Sequence, residues 1–302
     1  MDIEQLNSAF CLNADELRIV PGKGNLPCIE IDNGKARALI SIYGGQVLSY
    51  QPSNADSDLM FLSNLAYFAP PKAIKGGIPI CWPWFGPDPE EKGRPAHGFA
   101  RNSTWKIQQT GRLDNGDTLA ILRLEADEAN RNIWPYEFEL DLQIIVGERL
   151  NLTLITRNKS DSRIYITQAM HSYFNIGDIN QTRVLGLEGC AFIDKVDGEK
   201  RKQQEGSVSF AGEVDRIYQD TPSRLTIEDR SMNRKIHIDS TGSQSAVVWN
   251  PWSEISTNMA DLEDNDYQRF VCVETTNAAD DLVSVEAGED FQLNAIYTLE
   301  QL

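Results

Sequence analysis

Short runs of alternating apolar and polar residues, punctuated by turns bearing glycine and asparagine, recur along nearly all of this chain. In residues 138–146, Phe138, Leu140, Leu142, Ile144 and Val146 alternate with Glu139, Asp141, Gln143 and Ile145, the period of a half-buried strand. Gly147-Glu148 then turns the chain into Leu150, Leu152 and Leu154 on the same period. Asn33-Gly34, between 27–32 and 35–42, and Asn115-Gly116, between 105–110 and 118–125, are type I′ hairpin signals. Further strands are expected at 47–51, 163–170, 182–186, 191–196, 225–229, 235–239, 245–249, 269–273, 282–286 and 291–299. Helical period is nearly absent. Residues 127–134 read as a short helix stopped by Pro135, and 1–25 as a helical turn or a sheet edge. More than a dozen short strands with so little helix imply an all-β sandwich or barrel. No linker or internal repeat interrupts the rhythm, so residues 1–302 are expected to form a single domain.

One stretch breaks the pattern: residues 75–105, KGGIPICWPWFGPDPEEKGRPAHGFARNSTW. Glycine opens backbone angles that other residues avoid, and proline fixes φ while removing a donor, so the path is a rigid, non-repetitive loop. Long ordered loops of this kind carry function more often than not. Trp82, Trp84 and Phe85 offer flat apolar faces, and Lys75, Arg94 and Arg101 offer positive charge. That combination suits a hydroxylated ring bearing an anionic group. It equally suits aromatics buried in a core with cations left in water.

Charge narrows the partners. A formal net charge of −17 opposes general binding to nucleic acid or to an anionic membrane, both of which need a positive patch. It also repels anionic ligands at long range, so a phosphate site has to be a local basic cluster. The N-terminus lacks a basic region followed by an apolar core, and no apolar run is long enough to cross a bilayer. Five scattered cysteines form no CxxC pair and read as reduced, buried thiols of a cytoplasmic protein.

Few residues are candidates for chemistry. Of the three histidines, His237 lies in KIHID and reads as the outward face of a strand. His97 lies in the rigid loop beside Gly98, which permits close backbone approach. His171 ends a strand ahead of Ser-Tyr-Phe-Asn and is either a satisfied polar group or the lip of a pocket. Glu274 continues a row begun by Phe270 and Cys272. Buried there, its carboxyl pKa rises toward the range of a general base; at a strand end, it simply reaches water. The HxH and HExxH spacings of metal sites are absent, as are the P-loop and dinucleotide fingerprints, and nothing calls for a cofactor.

Taken in order, KGGIPICWPWFG, PAHGFARNSTW, HSYFNIGDI, DRIY and FVCVET resemble the hexose-6-phosphate mutarotases, the glucose-6-phosphate 1-epimerase branch of the aldose 1-epimerase superfamily. The blocks span roughly residues 40–275 in matching order and spacing. The resemblance implies a galactose-mutarotase β-supersandwich acting as a cofactor-free, cytoplasmic, monomeric enzyme on a sugar phosphate, with no metal. It implies interconversion of α and β anomers through the open-chain aldehyde. By position, Glu274 matches the base on the C1 hydroxyl and His171 the acid on the ring oxygen. Lys75 and Arg101 match the cations that hold the 6-phosphate, Asp215 a carboxylate that accepts from hydroxyls, and His97 a second histidine facing the sugar. Two positions depart from the family pattern. Lys75 stands where members carry arginine before the glycine pair, so the bidentate fork is lost. Ala96 stands where some members carry glutamine before the loop histidine.

Other readings compete. A non-catalytic sugar-phosphate sensor could use the same scaffold, although it would need neither Glu274 nor His171. A mutarotase of unphosphorylated sugars leaves Lys75 and Arg101 without a role, and a glycoside hydrolase wants a second facing carboxylate.

Overall fold

The computed structural model describes residues 2–12 and 16–302. Two eight-stranded sheets dominate it, each antiparallel throughout. The back sheet runs in the order Thr182–Leu185, Arg224–Asp229, Arg234–Thr241, Asp290–Gln301, Leu150–Asn158, Phe138–Val146, Thr118–Glu125, Lys106–Arg112. Its strands show the alternation expected of one face on a core and one toward water: Leu150–Asn158 alternates strictly between buried and half-buried positions. The Asn115-Gly116 turn joins its last two strands, with Gly116 at φ +84°, which suits glycine.

The front sheet is less regular. Its order is Lys200–Gln203, Ala191–Asp194, Val214–Gln219, Ser245–Asn250, Phe270–Asn277, Gln168–Met170, Ile80–Cys81, with Tyr173–Asn175 pairing on the outer half of Phe270–Asn277. One continuous apolar core joins the sheets: Val248, Val271 and Val273 from the front pack with Ile236, Leu293 and Leu299 from the back. Polar bonds cross the same gap. Trp82 Nε1 donates to Thr156 Oγ1 at 3.0 Å, and the hydroxyls of Ser172 and Tyr297 lie 2.7 Å apart. The all-β sandwich expected from the strand rhythm is the observed architecture.

A four-stranded sheet, Leu17–Pro21, Pro27–Asp32, Ala36–Ser41 and Gln46–Pro52, adds to one side, with the Asn33-Gly34 hairpin at its centre. The N-terminal reading of a helical turn or an edge resolves into both: a helix at Ile3–Phe10 and the edge strand Leu17–Pro21. The short helix is Glu128–Arg131, closed by a capping box between Asp127 and Asn130. A third helix, Trp252–Asn258, has no counterpart in the sequence expectations. No helix among the described residues is long and apolar enough to cross a membrane.

One expected strand divides. Residues 163–170 form two short strands, Ile164–Ile166 and Gln168–Met170, in different sheets. The break falls at Thr167, whose N–H donates to the Pro83 carbonyl and whose hydroxyl accepts from the Phe85 N–H. The rigid loop therefore docks into the sheet at that point and splits the ladder. Val214–Gln219 and Lys200–Gln203 are strands that the alternation did not show.

Candidate active site

The register of the front sheet writes out a cavity floor. Ile193 pairs with Ile217, Ile217 with Val247, and Val247 with Glu274, which makes one row across four adjacent strands. Asp215, Trp249, Cys272 and Tyr173 form the neighbouring row by the same pairings. Residues two apart on a strand share a face, so both rows face one side. Above them lies a cavity of about 700 Å³, and all six candidate residues, Lys75, His97, Arg101, His171, Asp215 and Glu274, line it.

At the centre, Glu274 Oε1 lies 3.5 Å from His171 Nδ1. Glu274 is 2% exposed and His171 8% exposed. Of the two readings of each residue, water contact at a strand end is thus excluded for Glu274. Neither Glu274 Oε2 nor His171 Nδ1 has a hydrogen-bond partner. A buried polar atom without a protein partner is costly and calls for a water or a ligand to satisfy it. Burial pushes the Glu274 carboxyl well above its ordinary range, the Asp215 charge adds to the effect, and Arg101 opposes it. Burial likewise holds His171 well below the ordinary imidazole value, reinforced by His97, Arg101 and Lys75. Both members of the pair therefore rest neutral.

Aromatic rings fix the imidazole. Tyr173 stacks on His171 with ring centres 4.8 Å apart and planes 6° apart, while Trp249 meets it edge-on at 6.1 Å. The His171 N–H donates to the Pro79 carbonyl, which anchors the strand end to the loop.

The loop delivers the other candidates. His97 has φ +63°, and its Nδ1 accepts from the Gly86 N–H at 3.2 Å, which leaves the ring proton on Nε2. Burial, then Arg101 and Lys75, lower its pKa to about 3, so it stays neutral. Arg101 lies on the turn Ala100–Asn102; Nη2 donates to the Ala96 carbonyl at 3.0 Å, and buried Nε has no partner. Lys75 precedes Gly76 and Gly77, where a Cβ on Gly77 would lie 2.2 Å from the Val47 carbonyl oxygen. Lys75 Nζ lies 3.6 Å from Asp261 Oδ1 and 3.9 Å from Met259 Sδ. Its pKa is lowered chiefly by burial, with Asp261 acting in the opposite direction. Asp215 stands two strands and one row from Glu274, roughly 12 Å at ordinary strand spacing and rise. Burial raises it to about 6, and Lys195 at the cavity rim pulls it down.

Not every aromatic of the loop faces this space. Trp82 and Trp84 are core, at 0% and 3% exposure, and their indole N–H groups are satisfied by Thr156 and by the Pro95 carbonyl. Arg94 lies over the Trp84 ring and pairs with Asp88, its Nε 2.8 Å from Oδ1. Only Phe85 of that apolar trio lines the cavity. His237, bonded to Thr226 and Glu300 on the back sheet, lies outside it. Tyr173, Trp249, Lys195 and Asp261 escaped the sequence reading. Tyr173 carried a signal, standing two residues past His171 in the Ser-Tyr-Phe-Asn run; Trp249 stood at the end of an expected strand with nothing to single it out, and Asp261, in an irregular segment, carried no signal.

A two-sheet antiparallel sandwich of this kind is the galactose-mutarotase-like class of fold. A galactose mutarotase related enzyme from Lactobacillus acidophilus shares it at a TM-score of 0.71 with 17% identity, over 91% of this chain and 97% of that one. The chain belongs to the aldose 1-epimerase family, whose model matches residues 27–298. A Salmonella typhimurium relative, provisionally named glucose-6-phosphate 1-epimerase, is 37% identical over 255 residues, covering 84% of each chain. The crystal structure of a provisionally assigned mutarotase, YeaD, from Salmonella typhimurium superposes at a TM-score of 0.89 with 32% identity over 99% of both chains.

Proposed function

We propose that the protein interconverts the α and β anomers of aldohexose 6-phosphates, with glucose 6-phosphate as substrate, through acid/base ring opening and closure. The observation that carries this is the 3.5 Å approach of His171 Nδ1 to Glu274 Oε1, beside Lys75 and Arg101 in one cavity. The hydroxyl oxygen and the ring oxygen of a pyranose are bonded to the same carbon, C1. An acid and a base serving them must therefore stand nearly in contact, as these two do.

The order of groups follows the order of atoms in the sugar. Glu274 takes the proton of the C1 hydroxyl, and His171 delivers one to the ring oxygen. The ring oxygen is bonded to C5, C5 carries C6, and C6 carries the phosphate. The cations must then lie beyond the imidazole, and Arg101 and Lys75 are among the charges that His171 senses. Asp215, two strands away, is left for the hydroxyls at C2 to C4, and neutral His97 can donate through Nε2. Transfer of the pair's proton from Glu274 to His171 turns the resting pair into base and acid. The phosphate offsets the charge of Lys75, which acts on His171 and not on Glu274 and so raises the imidazole's hold on the proton. After rotation of C1 in the open aldehyde, the same steps run backward.

The names of the relatives support the phosphorylated substrate, as does the placement of two cations in a molecule of net charge −17. The same reading takes the chain as a single-domain, monomeric, cytoplasmic enzyme; its five unpaired cysteines fit a reducing compartment. Magnetisation-transfer NMR on glucose 6-phosphate and on free glucose tests the reading. Exchange should accelerate for the phosphate and drop by about 10²-fold or more in Glu274→Gln. Binding of the phosphate without acceleration would replace the enzyme with a sensor.

A further inference from the structure

The wall carrying Lys75 and Arg101 also opens into a side pocket of about 340 Å³, lined in part by Lys72, Asn102, Tyr173 and Asp261. Asp261 lies between the helix Trp252–Asn258 and the turn Asp266–Gln268. Its Oδ1 is 3.6 Å from Lys75 Nζ, and the two side chains are 21% and 18% exposed. That distance describes a charge pair rather than a short hydrogen bond. Among the described residues, Asp261 is the one carboxylate within 4 Å of this ammonium. Arg101 Nε and Asn102 Oδ1, at the same wall, are buried without partners.

A carboxylate inside an anion site needs a reason. The 6-phosphate is identical in both anomers and takes no part in ring opening. A grip on it that is equally strong in substrate and product lowers KM and, when tight, delays departure of the product. A phosphate ester carries close to two negative charges at neutral pH. When it takes Lys75, it must displace or adjoin Asp261, and like charges oppose one another.

We propose that Asp261 is a specificity-determining residue that holds Lys75 in the empty site and keeps affinity for the 6-phosphate low, so that product leaves readily. This rests on the assignment of Lys75 and Arg101 to the phosphate. Lysine suits the arrangement, since a single point charge can change partners where a bidentate guanidinium would stay locked.

The test compares wild type, Asp261→Asn and Asp261→Glu in anomer exchange of glucose 6-phosphate and in calorimetric titration with inorganic phosphate. Asp261→Asn should lower KM about tenfold, lower kcat, and bind inorganic phosphate about tenfold more tightly; Asp261→Glu should stay near wild type. An unchanged or raised KM in Asp261→Asn, with the melting curve of wild type, overturns the proposal. If Asp261→Asn fails to fold, Asp261→Ser is read in the same way. If wild type shows no exchange, the mutarotase reading fails, and the phosphate titration alone decides Asp261. Tighter binding in Asp261→Asn then supports its role, and equal or weaker binding overturns it.

Discussion

Asp215 shows how one half-buried carboxyl ties the cavity to stability. Its pKa is about 6 in the folded protein against an ordinary 3.8, because burial disfavours the charged form. The folded state thus binds this proton more tightly than the unfolded chain. The stability that comes with it is fully present below the unfolded value and is lost as pH rises through about 6. Asp215→Asn removes that loss and should melt higher than wild type near pH 7.5, by on the order of 1–3 kcal/mol, with the gap closing near pH 4. Thermal melts at the two pH values check the sign. The same variant should bind sugar phosphate more weakly, since an amide accepts less strongly from hydroxyls than a carboxylate does. Glu274 is the same case taken further, its carboxyl held neutral by burial, whereas His171 is the opposite one: burial lowers its pKa, so the linked stability is lost as pH falls rather than as it rises.

The loop of residues 75–105 is the element on which the site depends most. It contributes Lys75, His97 and Arg101, and its path is set by contacts that leave no room for a side chain at Gly98. Gly98 has φ +71°, and a Cβ there would lie 1.9 Å from the Trp82 carbonyl oxygen, which already accepts from the N–H groups of Phe99 and Ala100. Gly98→Ala should therefore cost about 2 kcal/mol or more in a chemical denaturation curve. It should also raise KM for the sugar phosphate, because His97 and Arg101 lie on either side. The aromatics of this loop divide by their polar atoms. Trp82 and Trp84 find internal acceptors for their N–H groups and are buried, whereas Phe85 is left at the cavity.

For the whole molecule, a net charge of −17 surrounds a cavity with a cationic wall at Lys75 and Arg101. At low salt the repulsion reaches far over the approach, whereas at physiological salt it is cut off beyond about 8 Å; the cations act at close range in both. Raising ionic strength from about 20 to about 200 mM should then increase kcat/KM for glucose 6-phosphate, roughly twofold, by screening the approach more than the contact. A fall across that range would mean that local attraction governs capture. Long-range order also explains which strands could be seen in advance. Those of the back sheet alternate because one face meets the core and the other meets water. Val214–Gln219 hides its period because its second face, with Asp215 and Ile217, meets a polar cavity, and Lys200–Gln203 is exposed at every position. Residues 163–170 carry a strand period but are split by the docked loop, which no local pattern reports. What the residues determined by themselves is local: strand period, hairpin turns, the glycine and proline path of the loop, and the motif blocks that single out Glu274 and His171. Their meeting at 3.5 Å, the burial that shifts their protons and the pairing of Lys75 with Asp261 were decided by the tertiary structure alone. Register and sheet packing bring together residues far apart in the chain, and neither is written in any single stretch of it.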